Sequence, residues 1–168
     1  MRVAIVGFPF SGKTAVFRAV SGLAREHIKP AEENLAAVHI PEPRLDYLEA
    51  MFKPRKRTEA NMEFVDLPGS VEGDERAGLA RHLPTLRQSD ALLVVLRAFA
   101  SESVPLHAGR IDPEADLKEL RDEMLLADLL TCSTRVEKLE KAMTKPSKER
   151  DQQKRELDVL RRCQTALE

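Results

Sequence analysis

The sequence predicts an α/β layer fold with a mostly parallel sheet, a P-loop after its first strand, and an α-helical coiled-coil hairpin appended from residue 113. Three observations predict it. Short apolar runs alternate with helical stretches as far as residue 112, which is the pattern of strands and helices packed in layers. The first of these runs leads directly into Gly7-Phe8-Pro9-Phe10-Ser11-Gly12-Lys13-Thr14, which has the spacing G-x-x-x-x-G-K-[ST]. Beyond Asp112-Pro113 the pattern changes to apolar residues at coiled-coil spacing among many charges.

Taken in order, Val3-Ala4-Ile5-Val6 is a short β-branched run and reads as a buried strand near 2–6. Ala15-Val16-Phe17-Arg18-Ala19-Val20 opens a helix near 13–21. A strand is expected near 35–40 and a helix near 43–52. Met62-Glu63-Phe64-Val65 mixes polar and apolar positions in a strand near 61–66 that ends on Asp66. A helix is expected near 77–88 and a last strand near 91–97. That strand is apolar as far as Arg97, as a strand covered on both faces should be.

Asp112-Pro113 supplies an N-cap acceptor and then proline at the first helical position, with Glu114 and Asp116 adding negative charge to the first turn. Leu125, Leu129, Cys132, Val136, Leu139 and Met143 follow 4-3-4-3-4 spacing, a coiled-coil seam. Thr144-Lys145-Pro146-Ser147-Lys148 breaks it, and Leu157, Leu160, Cys163 or Gln164, and Leu167 resume a similar stripe. Two such helices joined by a short turn make an antiparallel hairpin, and the stripe is ordinary helix packing rather than a cofactor box. The domain reading is therefore 1–112 for the α/β domain that carries the P-loop and 113–168 for the hairpin.

The 168 residues suffice for one domain with a core and a small appendage. The net charge of −1 gives no global argument for a nucleic-acid or membrane partner. No stretch approaches the ~18 apolar residues of a membrane span, and no signal peptide is visible. Cys132 and Cys163 lack metal-ligand spacing and read as reduced thiols of a cytoplasmic protein.

The strand–loop–helix setting gives the glycine motif its meaning, since a glycine turn followed by an unrelated lysine would share only the letters. Gly7 and Gly12 let the backbone curl so that successive N–H groups face phosphate oxygens. The next helix adds its positive N-terminal end. The candidate binding set is Gly7, Phe8, Pro9, Phe10, Ser11, Gly12, Lys13, Thr14 and Ala15. Lys13 supplies a point charge for the β- and γ-phosphates, and the Thr14 hydroxyl is a ligand for Mg²⁺. Asp66-Leu67-Pro68-Gly69 is a second motif of the same chemistry: an aspartate at the tip of a neighbouring strand holds Mg²⁺, and a glycine N–H faces the γ-phosphate. An ordinary Asp-Pro-Gly-type turn would look the same in isolation. The candidate metal ligands are thus Thr14 and Asp66, and the candidate catalytic groups Lys13, Asp66 and Gly69. Ser70 to Gly78 reads as a switch segment running into a helix.

Together, Gly7 to Thr14, Ile40-Pro41-Glu42-Pro43-Arg44-Leu45, Met62 to Gly69, Gly109-Arg110-Ile111-Asp112-Pro113 and Leu125-Leu126-Ala127-Asp128-Leu129 resemble the YchF/Obg-like ATPase family of translation-factor-class P-loop proteins. The resemblance implies a Ras-like nucleotide domain carrying a helical hairpin, GTP or ATP with Mg²⁺, a cytoplasmic location and a link to the ribosome. The family also carries an Asn-x-x-Glu or Asn-Lys-x-Asp base-recognition motif and a C-terminal TGS domain beyond the hairpin. Neither occurs in this chain, so it looks like a fragment or a cut-down relative with weak base choice.

Other departures concern turnover. The family's switch I threonine aligns with Pro30, and no Ser or Thr occurs between Gly22 and Arg57. Ser70 stands where Ras-type enzymes place a water-orienting glutamine and is too short for that task. His82 lies farther along the expected switch helix, where an exposed imidazole is more often inert. Position 10, commonly Asn in the family, is Phe.

Lys53-Pro54-Arg55-Lys56-Arg57 is a basic run with two readings, an RNA or ribosome contact and a solvated loop. No aromatic interleaves with it, which favours the loop. His107 and Arg110, near the sheet's C-terminal edge, have two readings, approach to a ligand and pairing within their own loop, and the second is the simpler. Two functions remain: a nucleoside-triphosphate-binding switch with slow hydrolysis at most, or a degenerate P-loop scaffold that offers its hairpin to a protein or the ribosome. An open apolar edge at 91–97 predicts a homo-oligomer or a hairpin folded over that edge.

Overall fold

A computed structural model describes residues 1–68, 79–144 and 150–168. Gly69, Ser70, Gly73, Gly78 and most of the 144–148 break lie outside the described residues. The chain divides into two compact units, Met1–Asp116 and Leu117–Glu168.

The first unit is built on a sheet in the order β2-β3-β1-β4, with β1 Arg2–Val6, β2 Asn34–His39, β3 Asn61–Asp66 and β4 Ala91–Val94. β1 runs parallel to both β3 and β4, and β2 lies antiparallel on β3. β1 is central and its last four residues are buried, as its unbroken apolar run requires. The flanking β2 alternates half-buried with exposed positions, the period-2 pattern of a strand with one wet face. Helix α1, Lys13–Ser21, packs on β1, β2 and β3 and buries Phe17 completely between them. It ends at Gly22, whose left-handed backbone returns its N–H to Arg18 O. Helix α2, Pro43–Phe52, starts with a proline at its first turn and with Glu42 accepting from Arg44 N–H.

Two expectations are corrected here. β4 stops at Val94, and it is not covered on both faces: Leu93 and Val94 are 36% and 37% exposed. Among the described residues β4 pairs only with β1, so its outer side lacks a partner strand. The chain then leaves the ladder to enclose Arg97, a buried guanidinium that donates to Phe99 O, Val104 O and Pro105 O and closes the loop around itself. The helix expected at 77–88 is, where described, a 3₁₀ turn at Leu79–His82 followed by α3, Leu83–Arg87. Pro84 sits in the first turn of α3, where a missing N–H is harmless, so the chain restarts a helix there.

Helix α4, Pro113–Met143, crosses the division between the units in its first turn. Asp112 accepts from Ala115 N–H, as its N-cap position requires. In the second unit, α4 lies antiparallel to α5, Arg150–Leu167. Arg135 pairs with Glu156, Glu140 with Arg161, and Gln164 donates to Ser133 Oγ. Val136, Leu139 and Leu157 form the core of this pair, with Met143 and Leu160 packed against it. Leu125 is 47% exposed and lies outside this core.

Candidate functional site

The carboxyl ends of β1 and β3 carry the two motifs, and register places Ile5 beside Asp66. This is the end of a parallel sheet where ligand sites form. After Val6 the chain turns at Gly7 with φ 150°, and a Cβ there would stand 2.2 Å from Val95 O. No other residue fits beneath β4's continuation at this point. Gly12, with φ 105°, is the N-cap of α1 and is glycine for its backbone conformation alone. α1 has neither a side-chain cap nor an acid in its first turn. Its leading N–H groups therefore carry no side-chain acceptor, which is the arrangement that receives an anion.

Phe10, 57% exposed, holds φ 61°, a left-handed backbone that costs an ordinary residue about 1–2 kcal/mol. The Asn that the resembled family commonly has here tolerates that conformation, so the reason for it is visible in this loop's geometry. Phe8 is buried and stacks on His107, with ring centroids 4.0 Å apart and planes 11° apart. Arg110 lies 3.6 Å from Asp116. His107 and Arg110 are thus engaged within the first unit, and His107 braces the second P-loop residue, a role that its position in sequence did not reveal.

Lys13 is buried, and its ammonium donates to Gly7 O at 2.8 Å and Phe8 O at 2.9 Å. Among the described residues no carboxylate lies within ion-pair distance of it. Burial pushes its pKa down from that of a free lysine, and the charge of Asp66 only partly opposes this. Thr14 Oγ1 donates to Asp66 Oδ2 at 2.8 Å. Asp66 Oδ1 is buried without a hydrogen-bond partner. Burial raises the Asp66 pKa, opposed by the Thr14 hydroxyl, the Lys13 charge and the Asn34 amide. Asn34, paired with Asp66 in the β2–β3 register, was not singled out in sequence, since an isolated Asn before a strand gives no signal. An orphaned carboxylate oxygen beside a hydroxyl is an all-oxygen donor set that suits a hard cation such as Mg²⁺. Thr14 and Asp66 are therefore brought together, Lys13 stands beside them, and Gly69 lies outside the described residues. Pro30 is exposed in the turn before β2.

His82 is not the exposed helical residue that the sequence suggests. It is buried at the start of α3, with Nδ1 3.8 Å from Glu33 Oε1, an oxygen that also accepts from Thr85. Burial and the Arg81 charge lower its pKa, while the Pro68 main chain and Glu33 pull it upward. His82 thus links the segment before β2 to the turn that follows Asp66.

Residues 2–131 match the family described as 50S ribosome-binding GTPase. The chain belongs to that family. Its similarity within the family is to YchF and Obg-like proteins. It is 33% identical over 170 residues to the ribosome-binding ATPase YchF of Escherichia coli O157:H7, covering 98% of this chain and 46% of the relative. It is 35% identical to that of Haemophilus influenzae, with the same coverage. The Obg-like ATPase 1 of Oryza sativa subsp. indica is 32% identical over 153 residues, covering 85% of this chain and 38% of the relative. A structure of the Schizosaccharomyces pombe YchF GTPase superposes with a TM-score of 0.74 at 28% identity, covering 99% of this chain and 47% of that one. The chain thus spans about half the length of the relatives it matches. The resemblance read from the sequence motifs holds, and so does the α/β P-loop GTPase fold.

Two outcomes follow from this geometry. Phe10→Asn raises stability by up to about 1 kcal/mol in urea unfolding, whereas Gly7→Ala lowers it by at least about 2 kcal/mol. Equal midpoints for both variants and the parent would contradict the loop geometry. The second outcome concerns pH. Because the folded pKa of His82 lies below the free value of 6.5, its neutral form contributes fully above that pH. The contribution is lost as pH falls from there to the lower folded value. His82→Gln flattens this acid limb of stability measured by thermal unfolding, and an unchanged slope would refute the assignment.

Proposed function

We propose that this chain is the nucleotide-binding part of a YchF/Obg-like switch protein that takes GTP or ATP with Mg²⁺ and hydrolyses it slowly at most. The observation that carries the reading is the buried Lys13 ammonium, held by two P-loop carbonyls and no carboxylate among the described residues. Such a cation is stabilised by an incoming polyanion more than by its present partners. Lys13 would move from Gly7 O and Phe8 O to the β- and γ-phosphates. The backbone N–H groups of the loop, all but that missing at Pro9, and those of the first turn of α1 would donate to the remaining phosphate oxygens. Thr14 and Asp66 would hold Mg²⁺, which when bound neutralises charge that develops on the phosphates. Water attacking the γ-phosphate would find no switch I hydroxyl, since residues 23–56 contain neither Ser nor Thr, and this is why turnover is slow.

The relatives' names give the ribosome as their partner, and we extend that partner to this chain. Its helical hairpin exposes Leu126, Leu130 and Val159 for such a contact. The half-exposed β4 edge is in addition a surface for self-association.

Titration with labelled ATP, GTP and GDP, with and without Mg²⁺, tests the nucleotide reading. Lys13→Ala weakens triphosphate binding at least about thirtyfold, the ~2 kcal/mol of a charge-assisted bond. Asp66→Asn removes most of the gain from Mg²⁺. No binding of any nucleotide, with Lys13→Ala silent, would leave a scaffold instead. One sedimentation series reads the two surfaces. The chain alone runs larger than a monomer and Leu93→Lys returns it to one, while added ribosomes carry the parent down but not Leu126→Glu. A monomeric parent, or co-sedimentation indifferent to Leu126, would remove the corresponding claim.

A further inference from the structure

Helix α2 contributes no fully buried side chain to the fold. Tyr47 is 66% exposed and Phe52 70%, with Leu48 and Met51 between them also in solvent. Two large aromatic rings in water on one short helix are unusual for a surface without a ligand. Lys53 follows immediately, in a left-handed conformation with φ 44° that caps the helix and turns the chain away from its axis. Pro54 fixes the next backbone angle, and Arg55 and Lys56 follow, both exposed.

The charges of this region are sorted. Every acid between residues 42 and 60 is tied to an arginine. Glu42 pairs with Arg44, while Asp46, Glu49 and Glu59 all pair with Arg57. Those three carboxylates hold Arg57 firmly charged, its pKa raised chiefly by Glu49 and Asp46. By helical spacing, Asp46 and Glu49 lie on the side of α2 away from Tyr47 and Met51, and Phe52 stands at the border, one turn after Glu49, whose carboxylate is taken up by Arg57. Lys53, Arg55 and Lys56 form no ion pair among the described residues. The aromatic interleaving that was missing within the basic run is therefore supplied from outside it, by the ring immediately before Lys53.

From this placement we infer that the C-terminal end of α2 and the turn after it form a binding surface for single-stranded RNA. An unpaired base stacks on Phe52, the neighbouring apolar face that ends at Tyr47 receives the next, and Lys53, Arg55 and Lys56 contact the phosphates. The complementarity decides for this occupant. Exposed rings beside three cations without ion pairs among the described residues match unpaired bases carried on a phosphate chain, where each residue brings both a flat base and a charge, and a duplex keeps its bases stacked within. The surface is separate from the P-loop and does not depend on the nucleotide reading.

The test uses the full chain and fluorescein-labelled oligouridylate, read by anisotropy over a series of salt concentrations, with an RNA duplex of equal length as comparison. The single strand binds more tightly than the duplex, and log affinity falls against log salt with a slope of about −2, as three phosphate contacts on a single strand give. Replacing Lys53, Arg55 and Lys56 together with Ala removes most of that slope. Phe52→Leu weakens binding about fivefold at every salt concentration and leaves the slope intact, and Phe52→Tyr restores it. Because Phe52 is exposed, unchanged thermal unfolding is expected for both of its variants. Equal affinity for strand and duplex, a Phe52→Leu variant that binds like the parent, or a slope indifferent to the three basic residues would overturn the proposal. So would the absence of binding at any salt, which would assign the α2 face to a protein instead.

Discussion

The carbonyl of Val95 stands 2.2 Å from where a Cβ on Gly7 would be, and that close approach governs the site. It lets the chain leaving β4 pass over the start of the P-loop, with Val95 N–H still bonded to Val6 O at 2.8 Å. The loop is therefore fixed at its first residue by the sheet. Phe8, packed on His107, fixes the second. With both carbonyls held in place, Lys13 can fold back onto them, and α1 begins where its first-turn N–H groups face the enclosed space. A side chain at position 7 would displace β4 or the loop, and the positions of Lys13 and Thr14 would change with either.

The electrostatics follow from the same enclosure. Lys13 and Asp66 are both buried, and both are shifted toward their neutral forms with burial as the largest cause. Their mutual attraction, each opposing the other's shift, does not outweigh the loss of water. The pair is thus not a stabilising salt bridge but two separated charges, one held by carbonyls and the other by a hydroxyl and an amide. A ligand that brings negative charge to Lys13 and positive charge to Asp66 relieves both penalties together. Under the nucleotide-binding reading, this coupling is the physical reason why a polyphosphate and a divalent cation would bind together here.

Much of this was legible in the sequence, and what was missed has identifiable causes. β1, α1, β3 and the start of α4 are specified locally, by β-branched runs, by the glycine motif and by Asp112-Pro113, and they lie where the residues indicated. The exposure of Leu93 and Val94 was not legible, because an apolar run does not report whether another layer packs on its faces. The burial of His82 was hidden for a related reason. Pro84 divides the expected helix, and the resulting 3₁₀ turn rotates His82 inward to Glu33. The seam of α4 was read correctly at Val136 and Leu139 and over-extended at Leu125, since periodicity reports a helix face but not the length of what packs on it. The basic run was read from its own five residues, without Phe52, which stands one position before it.

Binding and turnover rest on different parts of this chain. A phosphate cradle made of backbone N–H groups is nearly indifferent to side-chain identity, so Phe in place of Asn at position 10 adds strain without removing a donor. Hydrolysis depends on particular side chains instead: a hydroxyl to close over the γ-phosphate and a group to orient water. The exposed Pro30 has neither an N–H nor a hydroxyl to offer, and residues 23–56 contain neither Ser nor Thr. Under the nucleotide-binding reading, such a sequence loses catalytic power long before it loses affinity. Its state is then set by which nucleotide occupies the loop and for how long, more than by how fast that nucleotide is cleaved. The buried His82, touching both Glu33 before β2 and the Pro68 main chain after Asp66, ties the two segments flanking the phosphate site to one side chain.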